Sequence, residues 1–310
     1  MTEQKSHQTM RILSRLFEGL TGLAVVIIIL MLVLIFGNIT YEGWRNVTWT
    51  FLSQSPTEGM TAGGIFPCIF GTMALVLLMT IMAIPLGVFT AVYLTEYAGQ
   101  NSRLTKLVRL AVNNLAGVPS IVFGLFGLGF FVYFIGSNID HHILGLGKDA
   151  SPLWGQPSII WASMTMALLT LPVVIVTTEE ALKTIPREIR EASYALGATR
   201  WQTIYKIVLP QALPGIFTGG ILAVSRGAGE VAPILILGAA YYLPHLPTKP
   251  TDQFMALGYH VYILATQSPD VELTKPILYG TVLVLLLLTF ALNFIAIFIR
   301  SRLRKKLRAS

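Results

Sequence analysis

The chain has 310 residues, of which 54% are hydrophobic and 12% are charged. Soluble domains carry about 25% charged residues, so this composition excludes an ordinary soluble enzyme and a disordered protein, and indicates a protein that crosses a membrane several times. A single cysteine, Cys68, excludes a disulfide framework and a cysteine-rich metal site. The net charge of +7 comes from basic residues at the ends of apolar runs, where they report orientation in a membrane rather than contact with nucleic acid.

Six stretches are long and apolar enough to span a bilayer, which takes about 20 residues. In chain order they are residues 20–40, a segment within 66–95, a segment that follows Arg109 and runs to about 134, then 159–178, 212–237 and 276–299. The charge-free stretch 59–95 is longer than one span, and Gly63, Gly64 and Pro67 interrupt it. We expect the part that exceeds one span to form a re-entrant segment on the outer side rather than a second crossing. The sequence therefore predicts an all-α, polytopic integral membrane protein with six transmembrane helices.

The distribution of basic residues predicts the orientation of these helices. If the spans alternate in direction, 17 of the 22 Lys and Arg residues fall on one side, within residues 5–15, 103–109, 183–206 and 300–308. The other side holds Arg45, Lys148, Lys249 and Lys275, and Arg226 lies inside the fifth span. Because Lys and Arg accumulate in cytoplasmic loops, both termini are predicted to be cytoplasmic. No small-residue cleavage site follows the first span, so we expect it to be retained as an anchor.

The sequence offers little catalytic chemistry. The pattern G-x-x-x-x-G-K-[ST] is absent, so we expect no P-loop for ATP in this chain. The neighbours His141 and His142 do not converge on a metal as residues four apart on a helix do, and we expect no metal site there. A membrane-embedded enzyme would need convergent His, Asp or Ser side chains within its spans, whereas the charged residues within the predicted spans are Arg226 and Glu230.

The segment between the fourth and fifth spans, residues 179–210, predicts two short cytoplasmic helices. Thr184 is expected to cap the first helix and Pro186 to lie in its first turn. The apolar positions of that helix follow helical spacing, at Ile185, Ile189, Ala192 and Leu196. Gly197 is expected to end it, and Thr199 with Gln202 forms a capping-box pattern that begins the second helix. Such a loop is consistent with docking to a partner or with an amphipathic hairpin on the membrane surface.

The same segment resembles the EAA loop of the binding-protein-dependent ABC importer permeases. The matching positions are Glu191, Ala192, Ser193 in place of a second alanine, Gly197, and the closing residues Ile207, Leu209 and Pro210. The resemblance implies a type I ABC importer permease fold, in which this loop docks in a cleft of an ATPase subunit and passes on its closure as a rigid-body movement. By resemblance, the coupling residues are Glu191, Ala192, Ser193, Gly197, Ala198, Thr199, Arg200, Leu209 and Pro210.

Further segments resemble the phosphate-importer branch of that family, the PstA-type permeases. They are residues 63–72, 113–125, 171–182 and 226–233, with departures at Gly227 and Val231, where Ala and Thr are commoner. The resemblance implies a non-catalytic permease subunit of an inorganic phosphate importer in a bacterial inner membrane, surrounded by lipid. The implied partners are a second homologous permease, two ATP-binding subunits and an extracytoplasmic phosphate-binding protein, with no nucleic acid and no cofactor. The alternatives are an importer of another oxyanion, such as phosphonate or sulfate, and a secondary transporter.

The predicted organisation has four parts. A cytoplasmic tail covers residues 1–19, the first transmembrane helix covers 20–40, and a permease core covers 63–299, with the coupling loop at 179–211. A basic cytoplasmic tail covers 300–310.

Two groups of charged residues are candidates for a substrate path. Arg226 is predicted about 18 Å beyond Pro214 along the fifth helix, near the middle of the bilayer, where a charge needs a partner or water. Glu230 lies four residues on, on the same helical face, so the two form either a structural ion pair or the polar lining of an anion path. Glu179 and Glu180 end the fourth span on the cytoplasmic side, where they either meet solvent or pair with Lys183 or with arginines of the loop.

Overall fold

A computed structural model describes residues 2–57, 60–99, 102–147, 150–243, 245–268 and 270–309. These residues are almost wholly helical, with one short hairpin. The elements are α1 (Thr2–Trp44), α2 (Trp49–Ser53), β1 (Pro56–Thr57), β2 (Ala62–Gly63), α3 (Phe66–Val92), α4 (Arg103–Leu115), α5 (Ser120–Gly127), α6 (Ile159–Lys183), α7 (Arg187–Ala195), α8 (Arg200–Thr203), α9 (Leu209–Gly229), α10 (Leu257–Thr266) and α11 (Val271–Ala309). Helix α3 continues as a π-helical segment at Tyr93–Tyr97, α5 does so at Leu128–Gly136 and Ile139–Ile143, and α8 does so at Ile204–Val208.

Six helical segments of the described chain are long and apolar enough to cross a membrane. They are Leu13–Trp44, Phe66–Tyr97, Ser120–Ile143, Ile159–Lys183, Arg200–Gly229 and Val271–Arg302. Hydrocarbon offers no hydrogen-bond partners, so an apolar segment that crosses it satisfies its own backbone N–H and C=O groups by becoming helical. The predicted all-α architecture with six transmembrane helices is confirmed.

The third predicted span is broken near its start. The prediction placed a single span directly after Arg109, whereas α4 ends at Leu115 and the membrane-length helix begins at Ser120. Pro119 explains the break, since it occupies the N-cap of α5 with an extended ψ of 138°. A proline also disfavours helical geometry in the residue before it, here Val118.

The fifth membrane-length helix begins and ends earlier than predicted, at Arg200 and Gly229. It was predicted to end near Leu237, whereas α9 ends at Gly229 and Glu230 has an extended ψ of 135°. The following residues return as turns into the helical core. The backbone of Pro233 lies against Gly124, and the side chain of Leu237 covers Gly127, at distances that leave no room for a Cβ atom on either glycine.

The core is formed by α3, α6 and α9, with α6 at its centre. In α6, 67% of the most apolar window is buried, against none of the corresponding window of the first helix. The three helices approach closely at glycines: Val174 lies against Gly87, Ala181 against Gly215 and Thr177 against Gly219. Small residues at such contacts are expected in membrane bundles, where association depends on close packing rather than on the hydrophobic effect.

A small hairpin precedes the N-terminal end of α3. Strand β1 pairs antiparallel with β2, and Gly63 in β2 has a positive φ of 86°. Ile65 then forms the N-cap of α3. The predicted re-entrant segment is therefore wrong for residues 60–65, because they form a hairpin strand and the entry to α3. Residue 59, where the predicted excess begins, lies outside the described residues.

Candidate functional site

The coupling loop consists of two short helices joined by a left-handed turn. Helix α7 ends at Ala195, and Gly197 adopts a φ of +84°, a conformation that L-residues other than glycine disfavour. Thr199 then begins α8 through a complete capping box, in which its hydroxyl accepts from the Gln202 N–H and the Gln202 side chain accepts from the Thr199 N–H. The predicted glycine stop and the predicted capping box both occur in the structure.

A buried hydroxyl pair locks the two helices together. The Ser193 Oγ and Thr203 Oγ1 atoms are 2.8 Å apart, and both residues are buried. Thr203 also donates to the Thr199 carbonyl at 3.1 Å. Ser193, which replaces the usual alanine of the EAA pattern, therefore adds a hydrogen bond between α7 and α8.

The start of α7 differs from the prediction. Thr184 does not cap it, because its hydroxyl donates back to the Ala181 carbonyl at the end of α6. Pro186 is the N-cap rather than a first-turn residue, and it lacks the side-chain oxygen that a capping hydrogen bond needs. Spacing alone could not separate these positions, since both lie within one turn of the corner between α6 and α7.

The buried face of α7 is also narrower than the apolar spacing predicted. Ile185 is buried and Ile189 is half-buried, whereas Ala192 is exposed and Leu196 is 90% exposed. The helix turns its second apolar pair outward because Ser193 occupies the inward position. A single exposed leucine is common on protein surfaces, so Leu196 bears on a contact site only together with exposed neighbours.

The outer face of the loop is partly aromatic. Tyr194 and Trp201 are exposed, and Trp201 stacks on Tyr205 with ring centroids 6.0 Å apart. Aromatic side chains are enriched in protein interfaces relative to the rest of the surface. Glu191 and Arg200 are exposed at the same loop, and Ala198 is half-buried in its turn.

The closing residues of the EAA pattern attach the loop to the bundle. Leu209 begins α9 and packs against an apolar cluster that includes Leu182 and Ile204. Pro210 lies in the first turn of α9, directly after the π-helical segment Ile204–Val208, where its missing N–H removes one hydrogen bond from the continuing helix.

The structure adds a residue that the sequence prediction missed. The Glu96 carboxylate, in the π-helical segment at the C-terminal end of α3, pairs with Arg190 of α7 at 2.7 Å. Both groups line a cavity of about 350 Å³ beside the coupling loop, together with Lys183 and Arg187. One signal in the sequence could have identified Glu96: it is the first charged residue after the long charge-free stretch that forms α3.

Arg226 and Glu230 are brought together, although not as two turns of one helix. Arg226 lies in the last turn of α9, and its Nε is 3.5 Å from a carboxylate oxygen of Glu230, which follows the helix end. Gly227 packs against Met79 and close to Met166, so Arg226 lies level with the interior of α3 and α6. Its side chain is 39% exposed in the single chain.

Glu179 and Glu180 belong to a separate cluster near the C-terminal end of α6. Glu179 is buried and pairs with Lys183 at 3.1 Å, as predicted, and with Arg109 of α4 at 3.5 Å. Glu180 is exposed and lines a cavity of about 240 Å³. Glu179 is about 20 Å along α6 from Met166, which marks the level of Arg226, at about 1.5 Å per residue. The structure therefore does not bring Glu179 and Glu180 to one site with Arg226 and Glu230. Among the described residues, no group of three or more His, Cys, Asp or Glu side chains could hold a metal.

Comparisons with known proteins agree with this architecture. Residues 83–309 match the family model described as "Binding-protein-dependent transport system inner membrane component". The chain is 31% identical to the "Probable ABC transporter permease protein YqgI" of Bacillus subtilis (strain 168), over 97% of this chain and 99% of that protein. It is 30% identical to the "Probable phosphate transport system permease protein PstA" of Methanocaldococcus jannaschii, over 96% of this chain and 95% of that protein.

A solved structure shares the fold. It is the "Crystal structure of bacterial alginate ABC transporter in complex with alginate pentasaccharide-bound periplasmic protein", and the match has a TM-score of 0.59 at 17% identity, over 89% of this chain and 94% of that one. The family resemblance predicted from the EAA pattern is confirmed. The chain therefore belongs to the binding-protein-dependent transport system inner membrane component family, as a PstA-type ABC importer permease.

Proposed function

We propose that this chain is the transmembrane permease subunit of an ATP-driven, binding-protein-dependent inorganic phosphate importer, and that it forms half of the translocation path. The observation that carries the substrate assignment is the similarity, over nearly the whole chain, to a relative named as a phosphate transport system permease. The ordered loop with its exposed Leu196 and Trp201 supports the coupling role.

The proposed assembly pairs this chain with a second, homologous permease. Six helices from one chain are few for enclosing an anion route, and α1, α4 and α5 leave large apolar side chains exposed. Two ATP-binding subunits dock on the cytoplasmic loops, and an extracytoplasmic phosphate-binding protein delivers the anion. ATP binding draws the two loops together and opens the outward cavity, and hydrolysis resets the inward state. ATP is bound and hydrolysed by the partner subunits.

The orientation in this proposal follows from charge. The basic segments at 103–109, 183–206 and 300–308 all belong to one side if the six helices alternate. The positive-inside rule makes that side the cytoplasm of a bacterial cell, so that both termini and the coupling loop face the ATPase.

Arg226 supports passage of an oxyanion. An arginine stays cationic in any protein environment, and its planar fork matches two oxygens of a phosphate group. In the proposal Glu230 competes for the guanidinium, which keeps the anion from binding too tightly to leave. Glu179 and Glu180 mark the cytoplasmic exit, where carboxylates repel a departing anion.

Reconstitution tests the substrate. The complex of this chain, its permease partner and the ATPase subunits is placed in vesicles with the phosphate-binding protein, and uptake of labelled phosphate is measured with and without ATP. We expect ATP-dependent uptake that excess sulfate or phosphonate does not reduce. Competition by either anion would assign another oxyanion, and uptake by this chain without the ATPase would indicate a secondary transporter.

The role of Arg226 has its own test. We expect Arg226→Gln to reduce uptake at least tenfold, because the loss of a charged hydrogen bond is worth about that factor, and Arg226→Lys to retain part of it. Arg45→Gln is the control, since it removes an equal charge from an exposed position at the outer end of α1. Unchanged uptake by an assembled Arg226→Gln complex would remove Arg226 from the path.

A further inference from the structure

We propose that Glu96 is a positioning residue that clamps the coupling loop to the cytoplasmic end of α3, so that a movement of the loop displaces α3 as well as α6 and α9. Helices α6 and α9 are joined to the loop by the chain itself, whereas α3 is connected to it by side-chain contacts. The proposal rests on the proposed function, because it concerns how the loop transmits movement.

The centre of the clamp is a fork between Glu96 and Arg190. Arg190 Nε lies 3.2 Å from each carboxylate oxygen of Glu96, and its Nη2 lies 2.7 Å from Oε1. The remaining donors of the guanidinium reach backbone carbonyls at the corner between α6 and α7, at Ile185 (2.8 Å) and Leu182 (3.0 Å). A single arginine therefore ties together the ends of α3, α6 and α7.

A second arginine closes the clamp from α8. The Arg200 guanidinium donates to the backbone carbonyl of Glu96, and it lies over the ring of Tyr97 at 5.1 Å. Arg190 and Arg200 are on opposite sides of the Gly197 turn. Both helices of the coupling loop are thus attached to one turn of α3.

Burial makes this connection rigid. The side chains of Glu96 and Arg190 are 6% and 14% exposed, so most of each charge is shielded from water by the protein. A buried, paired charge is costly to separate, and a bidentate fork fixes both distance and angle. Ala91, Val92 and Leu94 of α3 also contact the apolar cluster below the loop, but apolar contacts tolerate sliding in a way that a fork does not.

The clamp predicts a loss of coupling rather than a loss of fold. In Glu96→Gln the side chain keeps its size and its polarity but loses the charge that holds Arg190. Arg190→Lys keeps the charge but loses the fork, and it cannot reach Glu96 and the two carbonyls together. Arg103→Gln is the matched control, because it removes a charge from an exposed position at the start of α4.

Two measurements on the assembled complex test the clamp. In the first, spin labels are placed at the exposed positions Tyr93→Cys on α3 and Glu188→Cys on α7. The distance between them is then measured with and without ATP. We expect one narrow distance that ATP leaves unchanged in the parent and in Arg103→Gln, and a broadened, ATP-dependent distance in Glu96→Gln and Arg190→Lys.

The second measurement is the number of phosphate ions imported per ATP hydrolysed. We expect both clamp variants to lower this ratio about tenfold, with complex assembly and ATP hydrolysis retained. A narrow, unchanged spin-label distance in the variants, or a ratio equal to that of the parent, would overturn the clamp. A parent complex that imports no phosphate would contradict the proposed function. The spin-label distance needs no substrate, so it would still test the clamp in that case.

Discussion

The turn at Gly197 gives a graded prediction for coupling. Gly197 has a φ of +84°, and a Cβ atom placed on it meets no atom within 4 Å. Substitution therefore costs backbone conformation alone, about 1–2 kcal/mol for an L-residue in the left-handed region. That energy corresponds to about a 5- to 30-fold loss in the population of the native turn. We expect ATP-driven phosphate uptake to be highest in the parent and to fall progressively in Gly197→Asn, Gly197→Ala and Gly197→Val. Among these substitutes, Asn tolerates the left-handed conformation best and the β-branched Val tolerates it least.

A second glycine provides the control. Gly145 also has a positive φ, +64°, and a Cβ atom there likewise meets nothing within 4 Å. Gly145→Ala should cost similar stability but leave uptake per folded complex unchanged, because it follows the third membrane helix at the end remote from the coupling loop. Uptake is measured in vesicles and divided by the amount of assembled complex. If Gly197→Val imports as well as the parent, or if Asn is worse than Val, the left-handed turn does not control coupling.

Three further predictions concern stability. Ser193→Ala should cost about 1 kcal/mol of unfolding free energy through loss of the buried hydroxyl pair, and thermal unfolding in detergent should show a lowered midpoint with uptake retained. Gly71→Ala should cost about 1–3 kcal/mol of unfolding free energy, because the new Cβ atom would overlap the carbonyl oxygen of Met255. Gly129→Ala is the control and should not destabilise the protein, because a Cβ atom there meets nothing within 4 Å. Equal thermal midpoints for the two variants would contradict this packing. Burial lowers the pKa of His260 to about 4. Because the folded protein then binds fewer protons than the unfolded chain, stability should fall by up to about 3 kcal/mol from pH 6.5 to pH 4, and His260→Gln should flatten the stability curve measured over that range.

Much of the fold was accessible from local sequence. Apolar length predicted six helices because an apolar segment in hydrocarbon has few alternatives to a helix. The Gly197 stop and the Thr199 capping box were accessible for a similar reason, since each depends on a few neighbouring residues. Local sequence was less successful at element ends, where Pro119 breaks the third span and α9 stops at Gly229.

The candidate site was predicted only in part. The pairing of Glu179 with Lys183 follows from their spacing on one helix. Arg226 and Glu230 also form an ion pair, although α9 ends at Gly229, between them. The separation of these two groups agrees with the sequence prediction, which placed Arg226 deep in the fifth span and Glu179 at the end of the fourth. By contrast, the inward turn of Ser193 and the exposure of Leu196 depend on what packs against α7.

The sequence by itself determined that the chain is a membrane protein with six transmembrane helices, and that the first short helix between the fourth and fifth ends at a glycine. Apolar length, a positive φ at glycine and helix capping are all properties of short segments. The tertiary structure alone decided that Glu96 meets Arg190, 94 residues along the chain, and that Arg190 and Arg200 converge on one turn at the end of α3. An ion pair between residues far apart in the chain produces no periodic pattern in the sequence. The pairing of Glu96 with Arg190 is defined only when the helices pack and bury both side chains.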